Sequence, residues 1–416
     1  SQDYGRTHAD GANMLADALK PYGGIVMWRA FVYSPKSQDR VMQAVEEFQP
    51  LDGQFRDNVS IQIKNGPLDF QPREPFSPLF GCMNNTNIMP EFQITQEYLG
   101  HSIYMAYLHT MWKECLDSDT YQYGEGSTVS AITQGKLRPT SISAIAGVTN
   151  IGDDRNWCGH YLAQANWYAY GRMAWDTNAS SKQIVEEFLK LAFSDNPEFV
   201  SKVGQMMLDS RETVVNSEEP LGLHHCCAKD HHYGPGPWDV LARPDWTPAY
   251  FHKAAADGLG FDRTETGSNA VSQYNEPLKS MYSNLETCPD NLLLWFHHLP
   301  WDYKMKNGET LWNALHHKYQ EGIDSSKSFI DTWDSVKQYV DNNRFNNVRE
   351  KLVRQAKDAI WWRDSMMQYF QTFSNLPFPS DVCATQKDLD CLENYKLNIT
   401  NYEAPKIDQL PDYNLQ

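Results

Sequence analysis

Long apolar runs are missing from this sequence: no stretch of its 416 residues approaches the roughly 18 apolar positions that span a bilayer, so no transmembrane helix is expected. Positive charge is scarce. Thirty-six Lys and Arg against 53 Asp and Glu leave a net charge of -17, which disfavours nucleic acid or an anionic membrane as the main partner. The 8 cysteines contain no CxxC pair, which argues against a zinc ribbon and suits an oxidising compartment. Cys383 and Cys391 close a short loop and are the expected disulfide. No GxSxG elbow, P-loop or GxGxxG follows a strand, so acyl transfer, nucleotide chemistry and dinucleotide binding lack support. Internal repeats and low-complexity linkers are absent too, as are a starting Met and a signal peptide, from which a processed or excised chain is expected.

What is present describes a globular protein. Apolar residues make up 41% and can build a substantial core. Aromatics reach 13%, with 13 Trp and 22 Tyr; planar amphipathic rings suit sugar faces, and a large aromatic core is the other use for them. N-x-S/T sequons at Asn58, Asn84, Asn178 and Asn398 point to a secreted, glycosylated protein.

The first 190 residues alternate amphipathic helices with short β-branched runs: "HADGANMLADALKPYGG" then "GIVMWRAFVY", "SQDRVMQAVEEF" then "NVSIQIKN". The alternation continues through "EFQITQEY", a helix from about residue 101 to 116, "SISAIAGVTNI", and a helix from about 160 to 174. Four βα units result, the grammar of a parallel sheet with helical crossovers. From about residue 200 the pattern is mainly helical, interrupted by a Gly-, Pro-, His- and Trp-rich loop region over 219–270, and 308–375 carries the helical period strongly. We expect α/β architecture: the C-terminal half of a (β/α)8 barrel over 1–300 with long mouth loops, then an α-helical region over 301–416. A half barrel leaves two sheet edges open, so the other half is expected in a separate piece.

In such a barrel the chemistry sits at the C-terminal strand ends. Three successive ends offer Trp28 and Arg29, then Lys64, Asn65 and Asp69, then Glu97. Two carboxylates with an Arg and a Lys beside them can share proton transfer and hold an anionic group. The plainer reading makes Asp69 a helix cap, Glu97 the partner of a surface Lys and Arg29 a solvated charge. Glu74, beside Arg73 and two prolines, reads as half of a loop-fixing ion pair. The paired histidines His224/His225, His231/His232 and His297/His298 point apart on any regular element, so they chelate poorly; no metal and no cofactor is expected, and backbone-bonded rings on a rim of loops fit better.

At "YGRTHADGANMLADAL", "WRAFVY", "KNGPLDFQPREP", "ITQEYLG", "GVTNIGDDRNWCGHYLAQANWYAYGRMAW", "HHYGPGPW", "GFDRTETGS" and "LLWFHHLPWDY" the chain resembles the α-glucuronidases of glycoside hydrolase family 67, from residue 4 to at least 320. The resemblance implies a barrel that removes (4-O-methyl-)D-glucuronic acid, α-1,2-linked to the terminal xylose of xylo-oligosaccharides, with inversion. It implies that Asp69 and Glu97 act on the attacking water, that Arg29 and Lys64 bind the uronate with Trp28 beside them, and that Trp246 closes the pocket. The family's general acid, a Glu in a "K-x-D-S-E-G" segment before the first motif, is not in this chain, so the implied partner is an N-terminal fragment of the same enzyme. A homodimer is left open. The alternatives carried forward are a carbohydrate-binding fragment without catalysis and a metal-dependent hydrolase using the histidine pairs.

Overall fold

The computed structural model describes residues 4–32, 38–149, 156, 158–229, 231–397, 399 and 405–416. Thr7 opens helix α1 (His8–Leu19) with a capping box, its hydroxyl accepting from the Asp10 N–H while the Asp10 carboxylate accepts from the Thr7 N–H. Pro21 and the left-handed Gly23 (φ 67°) then turn the chain into β1 (Val26–Arg29). Helix α2 (Gln43–Phe48) leads to β2 (Val59–Lys64), followed by β3 (Asn87–Gln93), α3 (His109–Asp117), α4 (Val129–Thr133) and β4 (Ala146–Val148). All neighbouring pairs are parallel and the strand order is β1-β2-β3-β4, as expected for successive crossovers along one sheet.

Side-chain alternation divides the sheet. On β2, Val59, Ile61 and Ile63 are buried on one face while Ser60, Gln62 and Lys64 take the other. On β1, Trp28 packs against Gly11 of α1, whereas Arg29 reaches across the opposite face to Glu91 of β3. That second face is the polar one, and at the strand ends it carries the candidate chemistry.

Two expected crossovers are different. The β2–β3 connection holds only a 3₁₀ turn (Pro78–Gly81), because prolines 67, 72, 75 and 78 deny a helix its N–H groups. The helix expected from about residue 101 begins at His109, since Gly100, His101 and Ser102 all take positive φ (73°, 44° and 69°). Residues 94–108 form a mostly buried loop instead. Its amides are satisfied from distant helices: Gln355 accepts from Met105 N–H, Ser210 from Tyr107 N–H and Asn166 from Leu108 N–H.

Helices α5 (Gln164–Trp175), α6 (Ser181–Ala192) and α7 (Pro197–Glu218) follow, then a largely irregular region carrying the short α8 (Pro248–His252), α9 (Leu278–Ser283) and α10 (Leu293–Phe296). Thr310 caps α11 (Leu311–Asp334) and Asp341 caps α12 (Asn342–Ser374), two long helices that share the helical period expected over 308–375. Helix α11 packs along both α7 and α12, and α13 (Leu389–Asn394) lies on α12. Buried apolar residues from Ala9 to Tyr413 join in one cluster. No helix among the described residues is long and apolar enough to cross a membrane.

Candidate active site

β2 delivers Lys64 to the polar face, and the following turn brings Asp69 back onto it: the ammonium pairs with Asp69 Oδ1 and contacts the Leu68 carbonyl at 3.4 Å. Burial by itself would push the Asp69 carboxyl up; Lys64 outweighs it, with smaller help from Arg40 and His225, and holds the carboxyl below its ordinary value. The other Asp69 oxygen accepts from the Tyr98 hydroxyl at 3.1 Å.

β3 contributes the second carboxylate. Beyond Gln93 the chain runs into the buried loop, where Glu97 accepts from Gln93 Nε2 at 3.1 Å and meets His232 Nδ1 at 2.9 Å. The His232 ring stacks on Tyr98 with centroids 4.8 Å apart, and His225 meets the same tyrosine edge-on at 5.8 Å. Tyr98 therefore stands between the carboxylates, bonded to one and stacked on the partner of the other. Its hydroxyl is pushed well above its ordinary range by burial and then by Asp69 and Glu97, so it remains a donor. Burial, with His232 and Arg40 adding to it, keeps His225 well below the usual imidazole value and hence neutral. Both histidines sit at positive φ (56° and 54°), turning their rings inward from the HHCC and HHYGPG segments.

Asp69, Tyr98, His225 and His232 line a cavity of about 490 Å³ with Arg40, Lys229, Arg243 and Trp246 on its other walls. The basic groups are tethered: Arg243 forks onto Asp245 at 2.5 and 2.6 Å and lies 5.1 Å from the Trp246 ring, Lys229 donates to the Leu241 carbonyl, and Arg40 donates to the Asp245 carbonyl. Arg40 follows Asp39, which forms a fully buried ion pair with Arg263 at 2.7 Å, tying the "GFDRTETGS" segment to the start of α2. The result is a pocket with Asp69 in its wall, Glu97 behind His232, and a cationic, aromatic rim, suited to a polar ligand that carries a negative charge.

Of the residues picked from sequence, Asp69 and Trp246 line this cavity, and Glu97 is joined to it through His232. Lys64 stands just beneath Asp69. Arg29 and Lys64 share a neighbourhood, 4.9 and 5.0 Å from the centre of the Phe31 ring. Arg29 is not a solvated charge: Glu91, completely buried, takes three bonds from it at 2.6–2.9 Å and one from Gln62 at 2.5 Å. Trp28 is not brought to the cavity. Strand alternation points it to the helix side, where its indole N–H donates to His8 at 3.1 Å.

Two further expectations need correction. Glu74 does not pair with Arg73, which instead meets Glu212; Glu74 accepts the backbone N–H groups of Leu68, Asp69 and Gln71. Cys383 and Cys391 are exposed and unbridged. Asn58 is half-buried, with both amide protons given to the Ala16 and Gly24 carbonyls, while Asn84 and Asn178 are exposed; Asn398 lies outside the described residues. Among the histidines, His224, His297 and His298 do bond backbone carbonyls, as read from the loops. Among the described residues no set of three His, Cys, Asp or Glu side chains is arranged to hold a metal ion. Sequence reasoning passed over Glu91, Tyr98 and Arg40. Glu91 carried a signal, a carboxylate inside an otherwise apolar strand, and Tyr98 sat in the quoted "QEY".

A profile described as "Glycosyl hydrolase family 67 middle domain" matches residues 1–157, and one described as "Glycosyl hydrolase family 67 C-terminus" matches residues 158–383. The chain belongs to glycosyl hydrolase family 67. Within that family it is similar to Alpha-glucuronidase A of Emericella nidulans, 40% identical over 94% of this chain and 48% of the relative. Probable alpha-glucuronidase A of Aspergillus niger and Alpha-glucuronidase A of Aspergillus tubingensis are each 38% identical over 90% of this chain and 45% of their own length. This family 67 chain thus spans about half the length of the curated relatives it matches. The two profiles meet between β4 and α5, so the sheet and its polar strand ends fall in the middle domain, while His225, His232 and Trp246 come from the C-terminal one.

Proposed function

We propose that this chain supplies the water-activating side of an inverting α-glucuronidase, secreted from a fungus, that releases (4-O-methyl-)D-glucuronic acid from the terminal xylose of xylo-oligosaccharides. The observation that carries the reading is the array at one cavity of Asp69, Tyr98, His232 and Glu97, two carboxylates on successive strand-end loops coupled through one tyrosine. Asp69, held ionised by Lys64, binds the water and Glu97 orients it; an inverting enzyme needs this pair about 6.5–9.5 Å from its acid, so that water fits beside the anomeric carbon. The acid comes from residues outside this chain. Arg29 and Lys64 meet the uronate, and Trp246 covers the sugar. The similarity to Alpha-glucuronidase A of Emericella nidulans and of Aspergillus tubingensis supports the activity.

The same reading makes the sheet the second half of a (β/α)8 barrel, closed by the rest of the protein along β1. The exposure of Met27 (53%) and Ile25 (44%) on that open edge favours it. In the full-length protein, Asp69→Asn is expected to lower kcat at least a hundredfold while oligosaccharide binding by calorimetry is retained. A fall of less than tenfold removes Asp69 as the base. Binding without release of uronic acid by the unmutated full-length protein would leave a carbohydrate-binding fragment.

A further inference from the structure

Behind the Asp69 turn stands a carboxylate with no cation. Glu74 is buried (6% exposed), and among the described residues it makes no ion pair. Its Oε2 accepts from Leu68 N–H at 2.7 Å, and its Oε1 accepts from Asp69 N–H at 3.0 Å and Gln71 N–H at 2.8 Å. A lone buried charge is unfavourable and is avoided when the only need is to fill space. Three amides converging on one point give it a reason, because an ionised carboxylate has more acceptor sites than any other side chain. The enclosure is made for it: a Cβ on Gly66 would lie 2.2 Å from Glu74 Oε2, and Phe70, inside the clamped turn, is bent to a φ of 58°.

We propose that Glu74 is the positioning residue for Asp69, fixing the backbone of the 68–71 turn so that the Asp69 carboxylate meets Lys64 with one oxygen and Tyr98 with the other. The inference rests on the reading of Asp69 as the base. The clamp reaches the opposite wall as well. Gln71, whose N–H Glu74 holds, accepts from His225 N–H through Oε1 at 2.9 Å, and the segment that His225 begins carries His232 to Glu97. Both carboxylates are thereby referenced to one buried anchor that lies outside the cavity lining. A side chain that only stabilised the loop would be expected to change melting temperature, not turnover per folded molecule.

The test uses the full-length protein with an aldouronic oligosaccharide. Glu74→Gln, nearly isosteric, turns an amide NH2 against the converging N–H groups; kcat is expected to fall at least tenfold with KM within twofold and a single melting transition kept. Gly66→Ala displaces the carboxylate from the other side without changing charge, is expected to give the same kcat loss, and carries the test if Glu74→Gln does not fold. Asp69→Asn is run in parallel. If it is inactive while folded Glu74→Gln and Gly66→Ala keep kcat within twofold, the positioning role is overturned and the base assignment stands. If Asp69→Asn stays active, both are overturned, whatever Glu74→Gln does.

Discussion

A hydrogen-bond inventory decides what each polar residue is free to do. Asn58 illustrates this: its sequon is intact, but its amide is spent joining the end of α1 and the approach to β1 across two carbonyls. Glycan transfer would break both bonds and force a bulky group into a half-buried site. Mass spectrometry of tryptic peptides from the protein expressed through the secretory pathway of a eukaryotic host is therefore expected to find glycan on Asn84 and Asn178 and none on Asn58; glycosylated Asn58 would contradict the local structure. Arg29 is the converse case. Glu91, itself held by Gln62, takes the Nε and Nη2 groups of its guanidinium and fixes its orientation.

Loops rather than helices are the elements held most tightly by unusual means. Glu74 grips the turn after β2, and Glu219 grips the segment after α7, accepting from Cys226 N–H at 2.7 Å. Burial pushes Glu74 up to about 7 and Glu219 up to about 8, against the backbone bonds that pull both down. Because these folded values exceed those of the unfolded chain, both groups favour the folded state fully at acid pH, and that stability is lost as pH rises through 7 and 8. For Glu74 the full loss, spread from its ordinary value of 4.5 up to about 7, is about 3 kcal/mol. Urea midpoints are expected to fall between pH 5 and 8, and Glu74→Gln and Glu219→Gln to flatten that fall. A midpoint that rises over this range would show that the two clamps are already ionised at pH 5. The helix expected over 101–116 belongs at this scale too. Its period was real from His109 onward, but Gln355, Ser210 and Asn166, remote in sequence, hold the preceding turn in a loop that local propensity does not encode.

At the scale of the molecule, a sheet whose first strand has an open edge adjoins a helical body whose core is continuous with it. Met14, Leu15 and Leu19 of α1 are exposed, as are Ile25 and Met27 at β1, the first strand of the sheet. On the proposed half-barrel architecture the β1 edge is where the remainder of the enzyme docks. Met27→Asp is then expected to weaken capture of a separately produced N-terminal half at least tenfold by size-exclusion or calorimetric titration, leaving the melting of this chain alone unchanged. Equal capture by the variant would remove β1 as the docking edge.

Some of this was settled by the order of residues. The parallel βα grammar, the two long C-terminal helices, and the placement of Lys64, Asp69 and Glu97 at strand ends follow from period-two and period-3.6 patterns broken by Gly and Pro, which are local interactions a chain carries wherever it goes. Partnership was not settled there. That Arg29 meets Glu91, that Glu74 ignores its neighbour Arg73, and that Trp28 faces α1 while Trp246 faces Asp69 depend on strand register and on which loops fold over the same mouth. Those choices are made by burial. A polar group removed from water takes whatever donor or charge the packed chain brings within 3 Å, and sequence distance has no say in it.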